Sequence, residues 1–184
     1  MTERAIDQDD EMAALICAAV YLLRAEGECY SCKKATPMFA LMALPPIKQE
    51  GSEEAGDEDD CMFREITEMP ANLLEAVKAS AGPCFRPDYS RTAASSYWMN
   101  HCVHCDAKQG DFFVHGSEGP FWPYDETQMD AIHATRFDGP FRFLDPNTAY
   151  SGAMVDWRDR KHGVEHPKPK ATAGRKKRNP KVRA

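Results

Sequence analysis

Residues 100–111 read NHCVHCDAKQGD, and residues 28–34 read ECYSCKK. Each stretch holds two cysteines separated by two residues, Cys29 with Cys32 and Cys102 with Cys105. A two-residue gap lets the backbone fold beneath an ion so that both sulfurs of a pair face it. Two such pairs supply the four tetrahedral ligands of a closed structural zinc site. The spacing therefore nominates Cys29, Cys32, Cys102 and Cys105 as the ligands of one zinc ion. The 69 residues from Lys33 to His101 exceed the ~15–20 of a compact ribbon. That difference is two doublings of loop length, a closure cost of about 1.2 kcal/mol, against an apparent ~10–16 kcal/mol from structural zinc. Four thiolates on a divalent ion leave excess negative charge, which Lys33, Lys34, Lys108 and the amides after each second cysteine are placed to offset. Lys33 and Asp106 stand where a sharply turning knuckle often carries glycine; Gly110 comes later.

Other uses of the cysteines fit less well. A thioredoxin-like pair opens a helix whose dipole lowers the thiol pKa, but Pro37 and Gly110 follow the two pairs too closely for that. Disulfides need an oxidising compartment, and the acidic start MTERAIDQDDEM lacks the basic opening of a secretory signal. The expected location is cytoplasmic. His101 and His104 lie inside the motif as alternative ligands, though a histidine beside a complete cysteine set is more often a neighbour of the site. Cys17 reads as a core residue, and Cys61 and Cys84 have no partner at ligand spacing. Asp111 and His115 would share one face of a strand. With no nucleophile beside them they make no catalytic constellation, and the sequence names no catalytic residue.

The two knuckles resemble the halves of a zinc-ribbon site. The order N-x-C-x-x-C-x-x-x-Q-G-D, from Asn100 to Asp111, is similar to segments of uncharacterised bacterial proteins that pair it with an upstream C-x-x-C. The resemblance implies zinc binding over about 35 residues and implies no activity. Zinc ribbons serve many unrelated purposes, so a fold of this kind does not specify a function.

The 184 residues carry 42% hydrophobic side chains and a formal net charge of −6, with a mean hydropathy of −0.59. This suits one domain with solvated ends. The longest apolar run, the 12 residues Met12–Leu23, falls short of the ~20 that span a bilayer, so no membrane partner is expected. From Trp157 onward, 11 Lys and Arg face only Asp159 and Glu165, a net of +9 that leaves −15 on the rest. The expected organisation is an acidic N-terminus over 1–10, a zinc-binding domain over 11–162 and a disordered basic tail over 163–184. Within the domain, EGSEEAGDEDD over 50–60 reads as a solvated loop and lacks the residue order of a calcium loop.

Ala, Leu and Met between Glu11 and Ala25, with no proline or glycine, predict a buried helix capped by Asp9 or Asp10, with Val20–Leu23 as an alternative strand. Pro37–Leu44 and Met62–Ile66 read as strands, and Pro70 opens a helix that Gly82 stops. Ser96–Asn100 and Asp111–His115 read as a hairpin around the second pair, and Asp125 with Gln128 forms a capping box for a helix running to about Ala134. The second half is rich in aromatic residues, with few cations between them, and core packing explains them better than nucleic-acid stacking. The class is α+β: a small antiparallel sheet, two or three helices and a zinc-ribbon-like site of four cysteines.

These features predict a zinc-stabilised binding or adaptor protein whose acidic body meets a protein partner. Arg175, Lys176, Lys177 and Arg178 in the tail are candidate nucleic-acid contacts. The alternative is an enzyme of thiol redox or nucleic-acid-processing type. Deleting residues 163–184 is expected to leave metal content and melting behaviour unchanged and to abolish any binding of nucleic acid. A truncated chain that fails to fold, or that binds nucleic acid as well as the full chain, would contradict this reading of the tail.

Overall fold

The computed structural model describes residues 14–51, 61–144 and 146–162. The acidic N-terminus over 1–10, most of the acidic loop and the basic tail lie outside the described residues.

Two long strands, β1 (Ala14–Glu28) and β2 (Ala35–Gln49), form an antiparallel hairpin whose tip is the first cysteine pair. β3 (Cys61–Arg64) pairs with β2. The chain then forms α1 (Ala71–Ala81), followed by β4 (Phe85–Ser90), β5 (Ser95–His101) and β6 (Lys108–Gln109). Next come α2 (Asp111–His115), α3 (Glu126–Ala131), β7 (His133–Leu144), β8 (Asn147–Tyr150) and α4 (Gly152–His162). One sheet has the order β7-β1-β2-β3-β8 and the other β4-β5-β6. Every pairing among these strands is antiparallel. The chain is thus α+β, with two small antiparallel sheets, four helices among the described residues and a four-cysteine cluster.

The helix expected over Glu11–Ala25 is instead the central strand β1. The reason lies in its two buried faces. Cys17, Val20 and Leu22 pack on one side with Phe39, Leu41, Leu73 and Val77, while Ala19, Tyr21, Leu23 and Ala25 pack on the other with Met38, Met42, Val114 and Trp157. A strand covered on both sides is apolar at nearly every position and loses the period-2 alternation that distinguishes it from a buried helix. Its alanines then favour helix by propensity, and tertiary pairing overrides that preference.

Between Cys17 and Ala19 both of β1's ladders shift register. Ala18 faces Pro45-Pro46 on one side and Gly139-Pro140 on the other, and both of these peptide bonds are cis. The shift puts Cys17 and Val20 on the same face, three positions apart. Gly139 is required there, because a Cβ would lie 2.6 Å from the Phe141 amide nitrogen and 3.0 Å from the Cys17 carbonyl.

Other local readings hold. Pro70 precedes α1, whose buried face is Leu73, Val77 and Ala81, and Gly82 ends it at φ 67°. The Asp125 carboxylate accepts from the Gln128 amide at 2.9 Å, and Gln128 Oε1 accepts from the Tyr124 amide at 2.7 Å. That helix stops at Ala131 because His133 already belongs to β7. Asp111–His115 is a correction: it is helical, since the partner of β5 is the two-residue β6 and the chain has completed its hairpin before Asp111. The aromatic residues divide. Trp98, Phe121, Phe141 and Phe143 are buried, whereas Tyr30, Tyr89, Phe112 and Trp122 are exposed.

α4 closes the second face of the larger sheet with Met154 and Trp157, whose ring meets Tyr21 edge-on at 6.1 Å. Trp157→Ala is expected to cost about 3–5 kcal/mol in urea unfolding. An effect below about 1 kcal/mol would show that α4 is not part of the core.

Candidate metal centre

The two cysteine pairs occupy two hairpin tips of matching backbone design. In the first, the Cys29 amide donates to the Lys34 carbonyl at 3.0 Å and the Lys33 amide to the Cys29 carbonyl at 3.0 Å. The second repeats the pattern, with Cys102 donating to Ala107 at 3.0 Å and Asp106 to Cys102 at 2.9 Å. Each turn carries its fifth residue in the left-handed region, Lys33 at φ 60° and Asp106 at φ 59°. Both positions that lack the frequent glycine therefore adopt the glycine-favouring conformation, at a modest steric cost.

The tips bring four sulfurs together. Cys29 Sγ lies 3.7 Å from Cys105 Sγ, Cys32 Sγ lies 3.6 Å from Cys102 Sγ, and all four fall within 4.8 Å of one another. A disulfide needs about 2.05 Å. A tetrahedron with metal–sulfur bonds of about 2.3 Å has edges of about 3.8 Å, which the two short separations approach. All seven cysteines are free thiols. The quartet is the one group of three or more potential metal ligands among the described residues.

Polar side chains tie one tip to the other. Gln109 is fully buried; its Nε2 donates to Cys29 Sγ at 3.2 Å while its Oε1 accepts from the Tyr30 amide at 3.2 Å. The buried Thr36 hydroxyl accepts from the Val103 amide at 3.1 Å. Asn100, just before the second pair, exchanges two hydrogen bonds with the Phe39 backbone, accepting at 2.7 Å and donating at 2.8 Å. The Asn100 amide thus stands in for a neighbouring strand and locks the small sheet to β2.

The environment splits the thiols. Burial opposes ionisation of Cys102, yet the His104 and Cys105 amides and the Cys29 and Cys32 side chains pull it down to about 6. Burial likewise opposes ionisation of Cys29, and the Cys32 and Ser31 amides lower it on balance. The Lys34 amide lowers Cys32, but burial and the three other thiols push it up to about 11. Four thiolates repel one another at this range, so a metal ion has to supply the charge that lets all of them deprotonate. Two of the three lysines expected to help are engaged elsewhere: Lys33 pairs with Glu28 at 3.4 Å and Lys108 with Asp88 at 2.9 Å. Sulfur is served instead by Gln109 and by the His104 amide, 3.4 Å from Cys102 Sγ.

The histidines lie outside the quartet. Both ring nitrogens of His101 face acceptors, Asp88 Oδ2 at 3.0 Å and the Met99 carbonyl at 3.2 Å, and His104 Nε2 meets the Ala35 carbonyl at 3.0 Å. Cys17 is buried in the core, where desolvation raises its thiol to about 12, and the Cys84 thiol donates to the Ala81 carbonyl at 3.2 Å. The tail candidates Arg175, Lys176, Lys177 and Arg178 lie outside the described residues. In the sequence, Asn100 and Gln109 fall in the motif around the second pair without either being assigned a role, and Thr36 is passed over. The available signal was uncharged polar side chains beside the cysteines in short strands, where burial demands a partner. No protein-family model, curated protein sequence or solved structure matches the chain.

Asp111 and His115 lie one helical turn apart and line a cavity of about 10 Å3 between α2 and the sheets. Burial raises Asp111 to about 6, even though its carboxylate accepts the Glu65 amide at 2.6 Å. Burial lowers His115 to about 4. A carboxyl raised in the folded state favours folding at low pH and loses that contribution as pH rises from about 4 to about 6. Asn keeps an oxygen for the Glu65 amide, so the stability of Asp111→Asn relative to the parent should rise across that window. The comparison is made by urea unfolding at each pH, and a difference that stays flat or falls would refute the desolvated carboxyl.

Proposed function

We propose that the protein is a zinc-stabilised binding protein in which the ion is structural. The observation that carries the reading is the convergence of Cys29, Cys32, Cys102 and Cys105 within 4.8 Å. Four protein sulfurs fill a tetrahedral shell and leave no position for substrate or water, as in structural sites and unlike catalytic ones. Soft thiolate donors in this geometry select zinc over hard cations. The ion would bind hairpin tips from two sheets and so stabilise their mutual placement. A reducing cytoplasm suits thiolates that must remain free to coordinate.

In this reading the acidic body receives a protein partner, and Arg175, Lys176, Lys177 and Arg178 contact nucleic acid by displacing counterions. The alternative is an enzyme of thiol redox or nucleic-acid-processing type. No metal-bound water position or nucleophile–base pair supports it among the described residues.

Purified full-length protein is expected to hold about one equivalent of zinc by elemental analysis. Cys102→Ser should lose it together with most of the thermal stability, because metal binding and folding are one equilibrium here. A Cys102→Ser protein that retains full zinc and an unchanged melting temperature would rule the site out.

A further inference from the structure

A cleft of about 960 Å3 lies beside the first knuckle, between the turn after β4 and the start of α2. One wall is aromatic. Tyr30 and Phe113 stack at 4.8 Å with 11° between their planes, and Phe112 meets Phe113 edge-on at 5.4 Å. Tyr30 is 46% exposed and Phe112 82%, so neither ring is there to fill the core. Tyr89, also exposed, lines the same cleft. Solvent-exposed aromatic rings gathered at a concavity mark a binding surface more often than they serve the fold.

Charge decides what such a surface takes. Two rim charges are already neutralised, Lys108 by Asp88 at 2.9 Å and Asp106 by Arg86 at 2.9 Å. The carboxylates of Glu65 and Asp111 also line the cleft and make no ion pair within 4 Å among the described residues, although Asp111 accepts the Glu65 amide and feels the nearby Arg64 charge. Glu65 itself is held at φ 44° by the bond from its amide to Asp111, and a non-glycine residue kept in that region is a feature found at functional sites. A single-stranded nucleic acid needs a run of cations along its phosphates. Here Arg91 is the exposed rim cation without an ion pair among the described residues, and two carboxylates oppose it. A guanidinium answers both features, since it stacks flat on aromatic faces and matches carboxylates through its fork of donors.

We propose that this cleft docks an arginine-bearing segment of a partner protein, with the guanidinium against the Tyr30, Phe112 and Phe113 rings and toward the Glu65 and Asp111 carboxylates. The proposal rests on the binding reading above and supplies its surface and the chemistry of its partner. The test titrates the 15N-labelled full chain with N-acetyl-Gly-Arg-Gly amide and with the same peptide carrying citrulline, which keeps the shape and loses the charge. Saturable shifts confined to the amides lining the cleft are expected, with citrulline roughly tenfold weaker. Phe112→Ala and Glu65→Gln, both at the cleft surface, should each weaken the arginine peptide to a similar degree while retaining zinc. Absent or scattered shifts, equal binding of citrulline, or variants that bind like the parent would overturn the proposal. Tighter binding of a thymidylate dodecamer to the same amides would overturn it in favour of nucleic acid. Zinc measured on every sample separates the two failures: absent zinc condemns the metal reading, whereas a zinc-loaded chain without these shifts condemns the cleft.

Discussion

Two hairpin tips separated by 69 residues of sequence, one from each sheet, bring four cysteine sulfurs within 4.8 Å of one another. The first tip is the end of the long β1–β2 ribbon, and the second is the end of the short β5–β6 hairpin. A strand slipped by one residue would turn its side chains to the opposite face and carry a cysteine away from the quartet. The register is held from outside the sulfurs as well. Asn100 binds the Phe39 backbone, Thr36 receives the Val103 amide, and Gln109 reaches from β6 to both Cys29 and Tyr30. Each of these contacts joins one hairpin to the other and helps hold the four thiols at metal spacing. Preorganisation of this kind reduces the ordering cost that an ion would otherwise have to offset.

The larger sheet accounts for the rest of the architecture. Its central strands are covered on one face by α1, Phe85 and Trp98, and on the other by Val114, Phe121 and α4. The same ribbon that bears the first cysteine pair therefore runs through two cores. A rigid, doubly covered ribbon is a suitable mount for a turn that has to hold two sulfurs in place. The second face reaches the cysteine region through α2, whose Val114 is buried while Phe112 faces solvent. α2 thus anchors one face of the fold and presents aromatic surface beside the knuckle.

The site was far more legible than the path of the chain that builds it. Two C-x-x-C spacings name four residues directly, because ligand geometry is local to each pair. The helix from Pro70 to Gly82 was equally plain, since proline, an apolar face and glycine mark its start, middle and end. β1 was misread because burial on both faces erases the alternation that identifies a strand. α2 reads as a strand from sequence because its five residues are too few to show a helical period, although Gly110 and Gly116 stand at its caps and Asp111 and His115 in its first and last turns. The roles of Asn100, Gln109 and Thr36 are tertiary, each depending on a backbone group more than 60 positions away. The exposure of Tyr30 and Phe112 was likewise invisible, because composition treats every aromatic ring as core until packing shows which ones remain outside.

The central claim concerns the identity and number of the atoms around the metal, and X-ray absorption at the zinc edge of the full-length protein reads both. The account predicts a single shell of four sulfurs at about 2.3 Å, with His101 and His104 contributing nothing. A shell containing nitrogen or oxygen in place of a sulfur would contradict it.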